Sequence, residues 1–133
     1  MPHTVLSIRF LDMIKGTIYN IKLFAVFIIA MYMLYSGMMK LVGYPGMEES
    51  FMAWGYSYWF MITIGIVEII LAIAVFAKPT RNAAFLGLIL LTTGALYTHI
   101  SNYEYEEISI ALWILISSIV MLGINLTKLE DKL

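Results

Sequence analysis

Glu68 is the residue whose setting most strongly indicates chemistry. It lies in the apolar stretch 58–77, which contains no other charged side chain. A stretch of this length is typical of a membrane-spanning helix. On insertion scales a carboxylate at the centre of such a helix costs several kcal/mol, about 2.5–3.5 for Asp. Protonation, a polar partner, a water-filled pocket or a ligand must offset that cost. Glu68 is therefore either a functional residue or a hydrogen-bonding group that joins helices.

Besides Glu68, the predicted spans contain one lysine, Lys40, and one histidine, His99. A helical rise of about 1.5 Å per residue places both about 26 Å from the inner ends of their spans and Glu68 about 12 Å lower. We therefore predict one outer site that contains Lys40 and His99. We expect Glu68 to be protonated and paired with a hydroxyl rather than with Lys40. The alternatives are a lysine that extends to the membrane surface and a histidine that merely ends a helix.

The elements that must position these residues are four apolar stretches: Leu23–Val42, Tyr58–Ala77, Asn82–Ile100 and Ile108–Leu126. Each has about 20 residues, enough to cross a hydrocarbon layer about 30 Å thick. Of the 133 residues, 62% are hydrophobic and 13% are charged, whereas a soluble domain has about 25% charged residues. The sequence predicts an all-α integral membrane protein, a four-helix bundle with antiparallel up-down topology.

The segment before the first span has its own pattern. Apolar residues recur at helical spacing among charged ones, at Leu6, Phe10, Met13 and Ile14. This predicts a short N-terminal amphipathic helix at the membrane interface; a partly ordered tail is the alternative. No cleavage site of small residues is present, so we expect no cleaved signal peptide. The predicted domains are an interfacial segment at 1–22, a four-span domain at 23–126 and a tail at 127–133.

The basic residues predict the orientation of the chain. All but Lys40 lie in segments that this topology places on one side: Arg9, Lys15, Lys22, Lys78, Arg81, Lys128 and Lys132. The two loops on the other side carry Glu48, Glu49, Glu104, Glu106 and Glu107. Because cytoplasmic loops are enriched in Lys and Arg, we predict a multi-pass protein of the cell membrane with both termini in the cytoplasm. The 1–22 segment and the 127–133 tail would then be cytoplasmic as well.

One face of each predicted span carries polar or small residues three or four positions apart. We predict that these faces meet and form a polar interior. The candidate ligand-binding residues on them are Lys40, Glu68, His99, Tyr32, Ser36 and Trp113. The candidates for structural packing are Gly65, Ala72, Arg81, Thr92 and Ser117. For the small and hydroxyl-bearing residues, close helix packing in lipid is an equal alternative.

Several kinds of chemistry are excluded by composition. The chain has no cysteine and two histidines, and His3 lies at the amino terminus. Disulfide chemistry, cysteine nucleophiles, cysteine-ligated metal centres and a bis-histidine haem between spans are therefore excluded within this chain. We expect no metal and no nucleic-acid partner. No catalytic residue is predicted, which disfavours an enzyme acting alone but leaves that question open.

Short motifs along the chain carry a family resemblance. They are Ser36–Gly43, Trp54–Tyr56, Gly65–Ile69, Thr80–Ala84 and Gly94–His99. Their order and spacing between Leu23 and Leu126 resemble those of DoxX-like membrane proteins. The resemblance implies that Lys40, Glu68, Arg81 and His99 belong to a recurrent pattern. Some members of that family resemble the small subunit of thiosulfate:quinone oxidoreductase, others are associated with redox-protein maturation, and animal relatives act in receptor assembly.

Three functions remain in competition. The first is an accessory subunit that binds a quinone or lipid-like ligand in a redox-associated membrane complex. Lys40 and His99 would hold the polar head, Glu68 would exchange a proton, and Tyr35 and Trp113 would line the apolar wall. The second is a non-enzymatic assembly partner that stabilises another membrane protein. The third is a proton-coupled transporter, which four spans would support only in an oligomer. A homo-oligomer is compatible with all three.

Overall fold

The computed structural model describes residues 2–130 of the chain, and the side chains of residues 4–128. Its helices are α1 (Pro2–Leu41), α2 (Met47–Ala53), α3 (Tyr58–Ala74), α4 (Arg81–Ser101) and α5 (Ile108–Glu130). A single 3-10 turn, Tyr105–Glu107, precedes α5. The predicted all-α class is confirmed. The side chain of His3 and residues 131–133 of the predicted tail, with Lys132, lie outside the described part.

Three helical segments are long and apolar enough to cross a membrane: Thr4–Leu41, Arg81–Ser101 and Tyr105–Lys128. The predicted second span is shorter than expected, since α3 ends at Ala74 and has 17 residues. Together with α2 it forms a pair bent by 117°, which is a fourth span if the pair crosses as one unit. The four-span bundle and its antiparallel topology therefore stay predictions.

The amino-terminal helix corrects one expectation. Helix α1 runs for 40 residues without a break. The prediction of a separate short amphipathic helix before the first span is therefore wrong. Between His3 and Leu41 the sequence contains no proline, and its two glycines, Gly16 and Gly37, are isolated. Nothing there interrupts the helical hydrogen bonds. Every side chain from residue 4 to residue 21 is exposed, and packing against the other helices begins at Lys22.

Two helix pairs make most of the tertiary contacts. Helix α1 packs along α3, and α4 packs along α5, while the contacts between these pairs are fewer. A core of apolar side chains joins the helices, with Ile29, Met33, Ala72, Val75, Phe85, Leu88 and Ile114 almost fully buried. The backbones of α1 and α3 touch at two glycines. A Cβ atom at Gly37 would lie 2.7 Å from the Gly65 carbonyl oxygen. This close approach places one face of α1 directly against Glu68.

Candidate functional site

A buried ion pair lies where the carboxyl end of α1 packs against α3. Lys40 Nζ lies 2.9 Å from Glu68 Oε2 and 3.1 Å from Oε1. The two side chains are 8% and 9% exposed. Ser36 completes the group, which we call the inner cluster: its hydroxyl oxygen is 2.7 Å from Lys40 Nζ and 3.3 Å from Glu68 Oε1. Each charge is thus compensated by the other, which is what burial of ions requires.

This geometry corrects the prediction that Glu68 is separated from Lys40. The hydroxyl partner is present in Ser36, but Lys40 supplies two shorter contacts. The depth estimate compared backbone heights, and the reach of the lysine side chain together with the close approach of the helices at Gly37 and Gly65 spans the difference. An ammonium that donates to both oxygens favours a charged carboxylate. The reason for expecting a protonated Glu68 therefore no longer holds.

The inner cluster borders a cavity of about 1180 Å³, which side chains from all five helices line. Tyr32, Ser36, Lys40, Glu68 and His99 all line it. The sixth candidate, Trp113, lines a smaller groove of about 340 Å³ instead. Five of the six predicted ligand-binding side chains therefore line the same cavity. The polar side chains of its wall lie in the inner cluster and around His99 and the loop that follows it.

A second polar group lies where α4 ends, and we call it the outer cluster. His99 Nδ1 is 2.8 Å from Glu104 Oε2, and Trp54 Nε1 donates to Glu104 Oε1 at 3.0 Å. The Trp54 and His99 rings meet edge to face with centroids 5.3 Å apart. Beside them, the Tyr56 and Thr98 hydroxyl oxygens are 3.0 Å apart. These contacts join the segment that follows α2 to the end of α4 and its loop.

Glu104 determines which ring nitrogen of His99 carries a proton. The Trp54 indole N–H, and then the His99 ring, hold the pKa of the Glu104 carboxyl below its usual value. The ionised carboxylate accepts hydrogen bonds and donates none. Nδ1 of His99 must therefore be the donor. Nε2 of His99, on a side chain that lines the cavity, has no hydrogen-bond partner among the described residues.

The comparisons with known proteins identify the family of the chain. The model of the DoxX-like family matches residues 24–121. The chain belongs to the DoxX-like family. The matched segment contains the inner cluster and the outer cluster, and it confirms the resemblance inferred from the motifs. No curated protein and no solved structure matches the chain.

The site of this DoxX-like protein differs from the predicted Lys40–His99 pair. Lys40 is bonded to Glu68, and His99 to Glu104, so two separate clusters border one cavity. Trp54, Tyr56 and Glu104 were not among the predicted site residues. The sequence contains a signal for Glu104: it follows His99 by five residues across a short loop, close enough for the two side chains to meet.

The inward face of α5 is displaced from the prediction by about one residue. Ala111, Ile114, Ser118 and Met121 are buried, whereas Trp113 is 42% exposed and Ser117 is only partly buried. The prediction followed polar residues, and serine and tryptophan are tolerated on either face of a membrane helix. Ser118 Oγ is buried without a hydrogen-bond partner among the described residues.

The remaining predicted packing residues have local roles. Arg81 donates from Nε to the Val75 carbonyl oxygen at 2.7 Å and from Nη2 to that of Phe76 at 2.9 Å, which satisfies carbonyls at the end of α3. Thr92 is buried and donates to the Leu88 carbonyl oxygen at 2.6 Å. Among the described residues, no three His, Asp or Glu side chains are grouped to hold a metal ion.

Proposed function

We propose that this DoxX-like membrane protein binds a quinone or lipid-like amphiphile in its cavity, as an accessory subunit of a redox-associated membrane complex. The observation that carries the proposal is the Lys40–Glu68 ion pair on the wall of a cavity of about 1180 Å³. Ligand pockets commonly measure about 300–1,000 Å³ and combine apolar walls with a few polar groups. The chemistry of electron transfer would belong to the ligand and the partner subunits.

The hydrogen bonds of the inner cluster favour a ligand that carries a hydroxyl group. The three N–H donors of Lys40 are already used by Glu68 and Ser36. Glu68 accepts three bonds, and a carboxylate has about four acceptor positions. A quinol or a glycerol hydroxyl can donate to the remaining position. A quinone carbonyl would have to displace a contact of Lys40, so the cluster would prefer the reduced, hydroxyl-bearing form.

The groove beside the cavity supports an apolar tail on the ligand. It lies between α1 and α5 and is lined by Ile28, Tyr32, Ser109, Ile110, Trp113 and Ile114. Tyr32 and Ile114 line both the groove and the cavity, so the two spaces adjoin. Trp113 and Ile110 are each 42% exposed at the outer surface of the helices. A ligand with its head at the inner cluster could extend its tail through this groove into the bilayer.

The test is the content of the cavity in purified protein. We expect solvent extraction and mass spectrometry to recover one quinone or lipid per chain. Changing Lys40→Met and Glu68→Leu together removes both charges without leaving one unpaired, and should abolish recovery of that ligand. Lys78→Met, in the exposed turn after α3, is the matched control. Equal ligand content in the double variant and the control would refute the proposal.

A second function, assembly partner of another membrane protein, has one observation in its favour. The first part of α1 extends beyond the packed helices and exposes apolar side chains, among them Leu6, Phe10 and Met13. Such a helix offers a surface for a redox subunit or for a second copy of the chain. Copurification of one membrane protein that is lost when residues 2–21 are deleted, with an empty cavity, would favour this function over ligand binding.

We also propose that the chain is a multi-pass protein of the cell membrane with both termini in the cytoplasm. The distribution of basic and acidic residues between its ends supports this orientation. In intact cells, a cysteine introduced at the exposed Glu106 should react with an impermeant maleimide, and one at the exposed Lys78 should not. Labelling at Lys78 alone would reverse the orientation.

A further inference from the structure

The end of the protein opposite the outer cluster carries three basic side chains on three helices. Lys22 of α1 donates from Nζ to Asn125 Oδ1 at 3.3 Å, and Asn125 Nδ2 donates to Asn82 Oδ1 at 3.0 Å. This chain of hydrogen bonds ties α1 to α5 and α5 to α4. Arg81 precedes Asn82 in sequence, and Lys128 follows Asn125 by three residues, which places it on the same side of α5. Lys22, Arg81 and Lys128 thus lie at the same end of the protein, near enough for Lys22 to interact electrostatically with the other two.

These three cations form no ion pair with any side chain of residues 4–128. The charges of Lys128 and Arg81 each repel that of Lys22. Among the side chains of residues 4–128, the ion pairs are Lys40–Glu68 and His99–Glu104, at the other end. Lys22 uses one of its three donors on Asn125, and Arg81 retains Nη1 after its bonds to the end of α3. Several N–H donors therefore remain available for an anion.

The surroundings of the cluster determine what kind of anion fits. Lys22 lies where α1 begins to pack against the other helices, and Lys128 lies near the carboxyl end of α5; both helices are long and apolar enough to cross a membrane. Beside them, Leu23, Phe24 and Leu126 are 49%, 66% and 48% exposed. An anion held here would lie beside this apolar surface. If the anion carries hydrocarbon chains, those chains can pack against the surface. Basic pockets between membrane helices bind the head groups of anionic lipids in this way.

We propose that Lys22, Arg81 and Lys128 bind the phosphate group of one anionic phospholipid. The lipid would neutralise the repulsion among the three cations and join the middle of α1 to the beginning of α4 and the end of α5. This site is separate from the cavity, because none of the three side chains lines it. The inference therefore does not depend on the proposed quinone or lipid ligand of the inner cluster.

Native mass spectrometry of the detergent-purified protein tests this site. The probes are dioleoyl phosphatidylglycerol and dioleoyl phosphatidylcholine, titrated separately. We expect one phosphatidylglycerol to bind more tightly than phosphatidylcholine. Lys22→Gln and Lys128→Gln should each weaken that binding about fivefold, the effect of about 1 kcal/mol per basic residue. Lys128 is exposed, so its replacement tests the site even if Lys22→Gln disturbs folding.

The control is Lys78→Gln, an exposed lysine in the turn between α3 and α4 that makes no hydrogen bond among the described residues. It should leave phosphatidylglycerol affinity unchanged. A loss as large as that of Lys22→Gln would show diffuse attraction to positive charge and overturn the site. Competition by inorganic phosphate at the same concentration would show a free-anion site and overturn the lipid assignment. Equal affinity for both lipids would overturn it as well.

Discussion

The inner and outer clusters contain ion pairs of almost the same length in very different surroundings. Lys40–Glu68 spans 2.9 Å and His99–Glu104 spans 2.8 Å. The side chains of the first pair are 8% and 9% exposed, and those of the second are 19% and 37% exposed. When one partner of a buried pair is lost, the other charge stays without solvent, whereas water can replace a partner near the surface. The comparison shows that burial, rather than distance, determines how much of the fold depends on each pair.

The two pairs also differ in what holds them together. Lys40 and Glu68 lie on different helices and meet because Gly37 and Gly65 allow the backbones of α1 and α3 to touch. His99 and Glu104 are five residues apart in one chain segment, and their main tertiary contact is Trp54. The inner pair should therefore respond to changes in helix packing. The outer pair should respond to changes in its loop.

Removing one charge from the inner pair should have the largest effect. Glu68→Gln keeps the shape of the side chain but leaves the Lys40 ammonium buried among neutral acceptors. Breaking a buried pair in this way costs about 3–5 kcal/mol. We expect a large drop in the thermal unfolding temperature in detergent and in the amount of folded protein in membranes.

The matched comparisons are Glu104→Gln and the double variant Lys40→Met with Glu68→Leu. Glu104→Gln should change stability little, because water reaches that pair. The double variant should recover most of the loss, since no charge remains unpaired. If Glu68→Gln were as stable as Glu104→Gln, the inner pair would not be ionised as its geometry indicates.

A change in helix packing should have the next largest effect. In Gly65→Ala the new Cβ would lie 2.9 Å from the Gly37 carbonyl oxygen and 3.0 Å from Lys40 Cβ. The helices must separate, at a cost of about 1–3 kcal/mol for overpacking. Gly123→Ala is the control, because a Cβ there meets nothing within 4 Å. Equal unfolding temperatures for the two variants would mean that the α1–α3 contact can relax without cost.

The sequence predicted the helices and the residue types of the site better than it predicted the geometry of the site. Apolar length indicated, to within one residue, where α1 ends, where α3 and α5 begin and both bounds of α4. Helical spacing indicated that Tyr32, Ser36 and Lys40 share one face of α1, and all three line the cavity, but it did not indicate the contact of Lys40 with Glu68. The contact between Lys40 and Glu68 depends on the distance between α1 and α3. A periodic pattern within one helix does not predict the distance to another helix. The rotation of α5 was misjudged for a related reason. In a membrane helix both faces are apolar, so polarity alone does not identify the buried one.

Loss of one hydrogen bond in the outer cluster should have a smaller effect. Trp54→Phe keeps an aromatic ring beside His99 and removes the indole N–H that donates to Glu104. Because water can replace that donor, we expect a loss below about 1.5 kcal/mol. Trp59→Phe, at a side chain that is 74% exposed, should have no effect on the unfolding temperature. A loss from Trp54→Phe as large as that of Glu68→Gln would contradict the contrast between the clusters.

The smallest effect is a pH dependence confined to the outer cluster. Donation by Trp54 and His99 lowers the pKa of Glu104 in the folded protein, so the folded state favours the ionised carboxylate. Its contribution to stability is present above the usual glutamate value of about 4.3 and is lost as the pH falls through the lower, folded value. In a variant whose only tryptophan is Trp54, we expect a change in emission as the pH falls below the usual glutamate value. Glu104→Gln in the same background should abolish the change. If the change persisted, Trp54 would be reporting a different titrating group, and the attachment of the α2 segment to the α4–α5 loop would not depend on the charge of Glu104.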